Sequence, residues 1–177
     1  MRSQVLLYIL IASWMVLPGW ASNGDINQNA SLVSFEVKNM GVKTVEGTIT
    51  GMHGTVNFSP DDTENSYFKV CIKSSTINTN NNKRDKHLRE EDFFDVEEYP
   101  EICFESDNIS ATKNGYEVQG KLTIRNVTRI VTIPFSYEDK ILTGNFSVER
   151  KNYNVGDGFN NFIISDEVGV SVKCVLE

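Results

Sequence analysis

Apolar and polar side chains alternate with a period of two along much of this chain, and no other feature constrains its fold as strongly. Clear alternation occupies residues 33–37, 68–72, 116–124, 131–135, 142–148 and 168–172, with shorter or noisier stretches at 45–49, 56–58 and 102–104. Turn-forming residues such as Lys113-Asn114-Gly115 separate these segments. Because successive side chains of a strand point to opposite faces, each segment has one dry and one wet face. The sequence therefore predicts an all-β fold, an antiparallel barrel or sandwich of about eight or nine strands.

The composition and charge are those of a globular protein with one domain. Of the 177 residues, 40% are hydrophobic and 23% are charged, which argues against a disordered or low-complexity chain. The 17 Lys and Arg residues against 24 Asp and Glu residues give a net charge of −7, so we expect no binding of nucleic acid through its phosphates. We find neither an internal repeat nor a linker after the N-terminal segment, and we therefore expect residues 22–177 to form a single domain.

Residues 1–21 have the organisation of a signal peptide. Arg2 supplies a positive start, and residues 5–17 form a mostly apolar run that is too short to span a bilayer. Gly19 and Ala21 place small residues at the −3 and −1 positions of a cleavage site. We therefore expect cleavage after Ala21 and export to the periplasm, with no transmembrane segment in the mature chain. A short membrane anchor is the alternative.

Residues 80–100 interrupt the alternation and separate positive from negative charge. Lysine and arginine dominate the first part of this insertion, and acidic residues dominate the second part. Asn81 or Asn82 is placed to cap a short helix over residues 83–89. The insertion also carries three large apolar side chains, Leu88, Phe93 and Phe94. We expect these side chains to be buried at the mouth of the barrel.

The residue types that usually carry out catalysis or bind metals are sparse. His53 and His87 are the two histidines, and neither has a second ligand at metal-binding spacing. No glycine-rich phosphate loop follows a strand, and no serine lies in a nucleophile elbow. The sequence therefore predicts no catalytic residue, no metal site and no cofactor, and it favours a binding protein over an enzyme.

Three cysteines allow at most one intramolecular disulfide in an oxidising compartment. Cys71 and Cys103 occupy polar positions of two predicted strands that flank the long insertion, so they are the candidate pair. Cys174 follows the apolar positions of the last predicted strand, which favours the role of a small buried hydrophobic side chain. Three free thiols without a role are the alternative.

Several motifs, taken in their order and spacing, resemble the signature of a known protein family. They are Arg84-Asp85-x-His87-Leu88, Asp92-Phe93-Phe94-Asp95, Tyr99-Pro100-x-Ile102-x-Phe104, Gly120-x-Leu122-Thr123-Ile124, Val127-Thr128-x-x-Val131, Arg150-x-x-Tyr153 and Ser165-Asp166-Glu167-Val168. In these motifs the chain resembles the YceI-like family of periplasmic polyisoprenoid-binding proteins, from about Leu32 to the C-terminus. It departs from the family pattern at Asn39, where histidine is usual, and at Asn126, where glycine is usual.

The resemblance implies a lipocalin-like extended antiparallel β-barrel of about eight strands, with one short helical insertion beside a long apolar cavity. It also implies a ligand with a prenyl chain, an isoprenoid quinone or a polyprenyl phosphate, held for transport, storage or sequestration. The alternatives are a barrel that binds another amphiphile, such as a fatty acid or amide with a stress-protection role, and a non-binding structural barrel. A homodimer is left open.

The apolar side of the alternation and the insertion supply the candidate lipid-binding residues, each of which a plain packed core would also contain. They are Phe35, Val37, Ile49, Phe58, Phe68, Val70, Ile72, Leu88, Phe93, Phe94, Phe104, Leu122, Ile124, Ile133, Phe135, Phe146 and Val148. Arg84, Lys86 and His87 lie on the predicted helix and are the candidates for contacting a phosphate or quinone headgroup. Alternatively, Arg84 and Asp85 pin this helix to the barrel rim.

Export would change the tryptophan content of the protein, because Trp14 and Trp20 are its two tryptophans and both precede the expected cleavage site. We expect protein purified from a bacterial periplasm to begin at Ser22 and to show tyrosine fluorescence without a tryptophan component. Intact mass and emission spectra measure this. A purified protein that retains tryptophan emission contradicts cleavage after Ala21.

Overall fold

The computed structural model describes residues 22–39, 43–159 and 163–177, and strands make up most of this part of the chain. The strands are β1 (Ser22–Gly24), β2 (Leu32–Asn39), β3 (Lys43–Ile49), β4 (His53–Phe58), β5 (Tyr67–Lys73), β6 (Glu101–Thr112), β7 (Gly115–Ile124), β8 (Val127–Glu138), β9 (Ile141–Glu149) and β10 (Ile164–Val175). The helical elements are α1 (Asn82–Leu88) and two short 3-10 turns, Ser74–Thr76 and Arg150–Tyr153. The expected signal peptide lies outside the described residues, among which no helix is long and apolar enough to cross a membrane.

All ten strands belong to one antiparallel sheet, in the order β1-β4-β5-β6-β7-β8-β9-β10-β2-β3. The sheet curls, and the N-terminal segment connects its two sides, since β1 pairs with β4 and Ile26 then bridges Leu176 directly after β10. At the other edge, Thr48 of β3 bridges Asn78 in the connection after β5. The predicted fold class, an all-β lipocalin-like barrel with one short helix, is confirmed, with ten described strands instead of about eight.

Aromatic rings pack the end of the barrel that lies away from α1. Phe58, which ends β4, is fully buried, and its ring centroid lies 4.9 Å from Tyr116, 5.4 Å from Phe135 and 5.0 Å from Tyr137. The rings meet edge to face, which is a favoured geometry for aromatic pairs. This cluster closes one end of the barrel and leaves the opposite end to α1 and the β9–β10 connection.

Strand β6 contains a bulge that explains its weak sequence pattern. Its pairing with β7 shifts register around Asp107, where one extra residue is accommodated. Phe104 before the shift and Ile109 after it both pack in the apolar interior, although an odd number of positions separates them. A period of two cannot continue through such a bulge. For this reason the sequence predicted only residues 102–104 of a strand that spans Glu101–Thr112.

The cysteines divide between the two faces of the sheet. Cys71 of β5 and Cys103 of β6 are directly paired, with Cα atoms 4.1 Å apart, and they form a disulfide on the outer face. Cys174 is free and buried on the inner face, where desolvation raises the pKa of its thiol to about 11. The disulfide therefore ties together the two strands that flank the insertion.

Helix α1 begins and ends close to the predicted bounds. The Asn81 side chain accepts a hydrogen bond from the Arg84 amide at 3.0 Å, which is the capping role that the sequence predicted. Arg89 follows the last turn, and its guanidinium donates to the carbonyl oxygens of Ser75 and Ile77 at 2.8 and 2.6 Å. These contacts tie the helix to the connection after β5.

A buried carboxylate anchors α1 to the preceding segment. Asp85 is 5% exposed, and its Oδ1 accepts hydrogen bonds from the amide of Thr79 at 2.8 Å and from the hydroxyl of the same residue. Arg84 Nε donates to this hydroxyl oxygen at 2.7 Å. Burial acts to raise the pKa of Asp85, but hydrogen bonds from Thr79 and Asn81 and the charge of Arg89 outweigh it, so the pKa is lowered.

Asp85→Ala removes the acceptor of a buried amide and a buried hydroxyl, and we expect it to lower the free energy of unfolding by about 2–3 kcal/mol. Because the pKa of Asp85 is lower in the folded state, its contribution is present above the unfolded-state pKa and is lost as pH falls through the folded-state pKa. Denaturant unfolding of wild type and variant at neutral and acidic pH measures both effects. Glu97→Ala, at an exposed position of the same insertion, is the control. A stability difference that stays constant down to acidic pH contradicts this role.

Candidate functional site

A cavity of about 900 Å³ lies inside the curled sheet. Its wall is built from the inner face of the strands and is almost entirely apolar, because the alternation turns one side of every strand inward. The aromatic cluster lies at one end of the cavity, while α1 and the β9–β10 connection border the other. The volume lies near the upper end of the range of roughly 300–1,000 Å³ that is typical of small-molecule sites.

Nearly all of the predicted lipid-binding residues lie on the cavity wall. They are Phe35, Val37, Ile49, Phe68, Val70, Ile72, Leu88, Phe93, Phe94, Phe104, Leu122, Ile124, Ile133, Phe135, Phe146 and Val148. Phe58 is not among the residues that border this cavity, since it lies fully buried in the aromatic cluster. Its neighbours Phe68 and Phe135 do border the cavity, and a role of Phe58 in lipid binding stays a prediction.

Several wall residues were not predicted from the sequence. Met52 lies in the tight connection between β3 and β4, and Tyr153, Val155 and Phe159 lie in the β9–β10 connection. These positions carry no alternation, so only the folded chain brings them to the cavity. Other wall residues lie on strands, at apolar positions of the same alternation that predicted the lipid-binding residues. They are Val33, Val56, Val118, Leu142, Val168, Val170 and Val172.

The β5–β6 connection, which contains α1, and the β9–β10 connection meet over one end of the cavity. Phe93 is 6% exposed, and its ring centroid lies 5.0 Å from that of His87 and 5.1 Å from that of Phe159. The Gly156 amide donates a 2.9 Å hydrogen bond to the carbonyl oxygen of Asp92. Gly156 has a φ of +63°, and a Cβ there would lie 2.8 Å from the Phe93 ring, so the close approach of the two connections requires glycine.

Arg150 is a buried cation that holds the β9–β10 connection in shape. It is 5% exposed and borders the cavity. Its guanidinium donates to the carboxylate of Asp166 at 3.0 Å and to the carbonyl oxygens of Val155, Gly156, Phe159, Ile164 and Ser165. The fixed fork of five N–H donors suits arginine to this task. The sequence marked Arg150 as part of a family motif, but its acceptors lie in a segment without periodicity and could not be foreseen.

The predicted headgroup candidates all border the cavity at this end. Arg84 Nε and Nη2 donate to the hydroxyl and carbonyl oxygens of Thr79 at 2.7 and 3.0 Å, so its guanidinium is partly committed to holding α1. Lys86 is exposed, and His87 Nε2 lies 3.9 Å from the Asp92 carboxylate. Both roles considered for Arg84, anchoring the helix and contacting a headgroup, are compatible with this position.

Asn39, at the end of β2, adds a polar group to the wall. The residue borders the cavity, but its Oδ1 is buried and has no hydrogen-bond partner in the part of the chain that the structure describes. Buried side-chain oxygens are usually paired. The buried oxygen is not exposed to the open cavity.

Comparisons of sequence place the chain among bacterial relatives. It matches the YceI-like domain family over residues 25–176. A UPF0312 protein of Photorhabdus laumondii is 32% identical over 109 residues, which cover 62% of this chain and 57% of that protein. A UPF0312 protein of Yersinia pestis is 28% identical over 137 residues, which cover 75% of this chain and 71% of that protein. The match to the Photorhabdus protein therefore spans little more than half of that protein's length.

Solved structures share the fold. BcnA of Burkholderia cenocepacia has a TM-score of 0.77 at 26% identity and covers 85% of this chain and 98% of that one. A YceI protein of Campylobacter jejuni has a TM-score of 0.68 at 22% identity, and the match covers 79% of this chain and 89% of that one. A polyisoprenoid binding domain from Saccharophagus degradans has a TM-score of 0.63 at 12% identity, and the match covers 85% of this chain and 95% of that one. At this identity the comparison shows a shared fold alone. Since the family match covers nearly the whole described chain, this protein belongs to the YceI-like domain family.

Proposed function

We propose that this protein is an exported, periplasmic binding protein that holds an isoprenoid-type amphiphile, either an isoprenoid quinone or a polyprenyl phosphate. The observation that carries the proposal is the cavity of about 900 Å³ with its almost entirely apolar wall. Residues 22–177 would act as one domain that transports, stores or sequesters the lipid. The proposal assigns no catalytic residue.

Burial of a hydrocarbon chain supplies the affinity in this proposal. Each CH₂ group that leaves water contributes roughly 0.8 kcal/mol, so a chain of several isoprene units needs few directed contacts. Protein interiors normally pack as densely as organic crystals, and an apolar void of this size is costly unless something occupies it. The contrast between the packed aromatic end and the open remainder favours a ligand over a purely structural barrel.

Membership of the YceI-like family supports the same ligand class. The Saccharophagus domain that shares the fold is a polyisoprenoid binding domain. At 12% identity this domain supports the fold, so the choice of an isoprenoid over other chain lipids rests on the volume and apolar character of the cavity together with the family.

Among the residues that the structure describes, the charged side chains that border the cavity lie at its α1 end, and this would orient an amphiphile. Arg84, Lys86 and His87 are positioned to donate hydrogen bonds to a phosphate or a quinone oxygen. The opposite end is closed by aromatic rings. The hydrocarbon chain would therefore extend inward from a headgroup held beneath α1.

Mass spectrometry of an organic extract from periplasmically purified protein tests the proposal, with native mass spectrometry of the intact complex alongside. We expect a stoichiometric prenyl lipid, and its mass would show whether the headgroup carries phosphate. A stoichiometric fatty acid or amide in its place would contradict the isoprenoid class. A protein that stays free of lipid after incubation with quinone, polyprenyl phosphate and fatty acid would refute lipid binding altogether.

Two neighbouring residues of β9 form a matched pair for locating the ligand. Phe146 lines the cavity, whereas Asn145 is exposed on the outer face. Phe146→Asp puts an unpaired carboxylate into the apolar wall, so we expect it to abolish lipid retention, and the milder Phe146→Ala to reduce it. Asn145→Asp should leave retention unchanged. Undiminished retention in a folded Phe146→Asp protein would show that the lipid binds elsewhere.

Headgroup contact at the mouth is tested by comparing a polyprenyl phosphate with a neutral quinone. Lys86→Ala and Arg84→Ala should weaken phosphate binding roughly tenfold and quinone binding less, because hydrogen bonds to an ionised group are stronger. Lys86 is the cleaner probe, since Arg84 also holds Thr79. Lys113→Ala, in the turn at the closed end, is the control. Equal effects on both ligands would show that the headgroup is not contacted by these cations.

A further inference from the structure

Four side chains on the outer face of β4, β5 and β6 form a cluster, and one of these residues, Cys103, is also among those that border the lipid cavity. The strand register pairs His53 with Cys71 and Cys71 with Cys103, so these residues form one row across three strands. Glu101 precedes Cys103 by two positions on β6 and therefore lies on the same face. Donor atoms of His53, Cys71 and Glu101 lie within 4.8 Å of one another.

The backbone orients the His53 ring toward this cluster. Nδ1 lies 3.0 Å from the carbonyl oxygen of Gly51, and Nε2 lies 3.0 Å from Oε1 of Glu101. A carbonyl oxygen only accepts hydrogen bonds, so Nδ1 carries a proton and donates it. Nε2 is then the ring nitrogen that faces the Glu101 carboxylate and is placed to bind a metal ion together with it. Metal-binding histidines are commonly held in this way, through the ring nitrogen that does not bind the metal.

Cys103 places a second sulfur atom beside this group of three, but the two sulfur atoms are bonded to each other. Cys103 Sγ lies 4.0 Å from Oε2 of Glu101, and its partner in the disulfide is Cys71. The thiolate is the form of cysteine that binds metals. The side chains of His53 and Glu101 are 35% and 45% exposed, so a reductant and an ion can both reach the cluster.

We propose that reduction of the Cys71–Cys103 disulfide creates a tetrahedral site for a zinc-type divalent ion. A dithiol reductant supplies two electrons and two protons, which break the Sγ–Sγ bond and give two thiols, while the dithiol itself becomes a disulfide. The ion then displaces one proton from each thiol, and these protons leave to solvent. Two thiolates, the Nε2 atom and a carboxylate oxygen are a ligand set that zinc accepts.

The surroundings fit an ion of this class. Thiolate and imidazole ligands favour zinc over magnesium or calcium, which prefer oxygen. The loaded site carries a net negative charge, and Lys73, which is paired with Glu101 across β5 and β6, offsets it. Because the same sulfur atoms serve the disulfide and the metal, the two states exclude each other. The ion protects the thiols from oxidation, and oxidation releases the ion.

Metal titration of the mature chain in its oxidised and reduced forms tests the proposal. A Cys174→Ala background leaves Cys71 and Cys103 as its thiols, and a phosphine reductant avoids competing thiols. We expect the reduced protein to bind one Zn²⁺ or Co²⁺ ion per chain. The cobalt form should show the absorption spectrum of a tetrahedral site, with thiolate-to-metal charge-transfer bands. The oxidised protein should bind on the order of a hundredfold more weakly. Equal binding by the two forms would overturn the proposal.

The ligands other than sulfur distinguish a four-ligand site from capture by two thiols. His53→Ala and Glu101→Gln should each weaken binding by the reduced protein at least about tenfold. Glu105→Gln, at an exposed position of the same strand, is the matched control and should leave binding unchanged. Full affinity in both ligand variants would refute the site, because the thiols alone would then account for the binding.

A thermal melt of the reduced protein separates metal binding from loss of the fold. We expect a cooperative transition whose midpoint rises with Zn²⁺, since a ligand of the folded state stabilises it, and no such rise in His53→Ala. Oxidation of the zinc-loaded protein by glutathione disulfide should be slower than that of the metal-free protein and should release the ion. Zn²⁺ binding confined to an unfolded reduced chain, or oxidation at an unchanged rate, would contradict the proposal.

Discussion

The incomplete filling of a curled sheet is the constraint on which the rest of this structure depends. In the described part of the chain, strands β2 to β10 turn apolar side chains inward, and the interior is closely packed at the end where the rings of Phe58, Tyr116 and Phe135 meet. Elsewhere the wall is apolar and encloses about 900 Å³. Since protein interiors normally pack to crystal density, the capacity to bind depends on the volume that the wall side chains leave unfilled more than on any single contact.

The cover of this cavity combines an apolar cluster, which includes Phe93, Tyr153 and Val155, with buried polar groups. Asp85 anchors α1 by accepting hydrogen bonds from Thr79, and Arg150 donates hydrogen bonds to carbonyl oxygens of the β9–β10 connection. Without these partners, irregular backbone beside an apolar cavity would leave amides and carbonyls unpaired. The two residues thereby determine where Leu88 and Phe93 lie at the cavity mouth, and any headgroup contact follows from that placement.

The same alternation that builds the wall also separates two kinds of chemistry on the same strands. Val70 and Ile72 of β5 line the cavity, while Cys71 between them lies in the outer row with His53 and Cys103. One sheet can therefore carry an apolar ligand inside and a redox-dependent ion outside, with Cys103 of the outer row also bordering the cavity. A change at one site reaches the other only through the backbone of the strands that carry both.

Strand faces and the capped helix were determined by the sequence alone, because alternation and capping depend on residues close together in the chain. Phe146 was assigned to the inner face and Asn81 or Asn82 to the helix start on that basis, and in the structure Phe146 lines the cavity and Asn81 caps the helix. Whether an inward side chain meets a cavity or another ring depends on what distant strands place opposite it, and at Phe58 they place the rings of Tyr116 and Phe135. The bulge at Asp107 and the acceptors of Arg150 follow from strand register and loop closure. Only the tertiary structure could decide these, because they join residues that no local pattern relates.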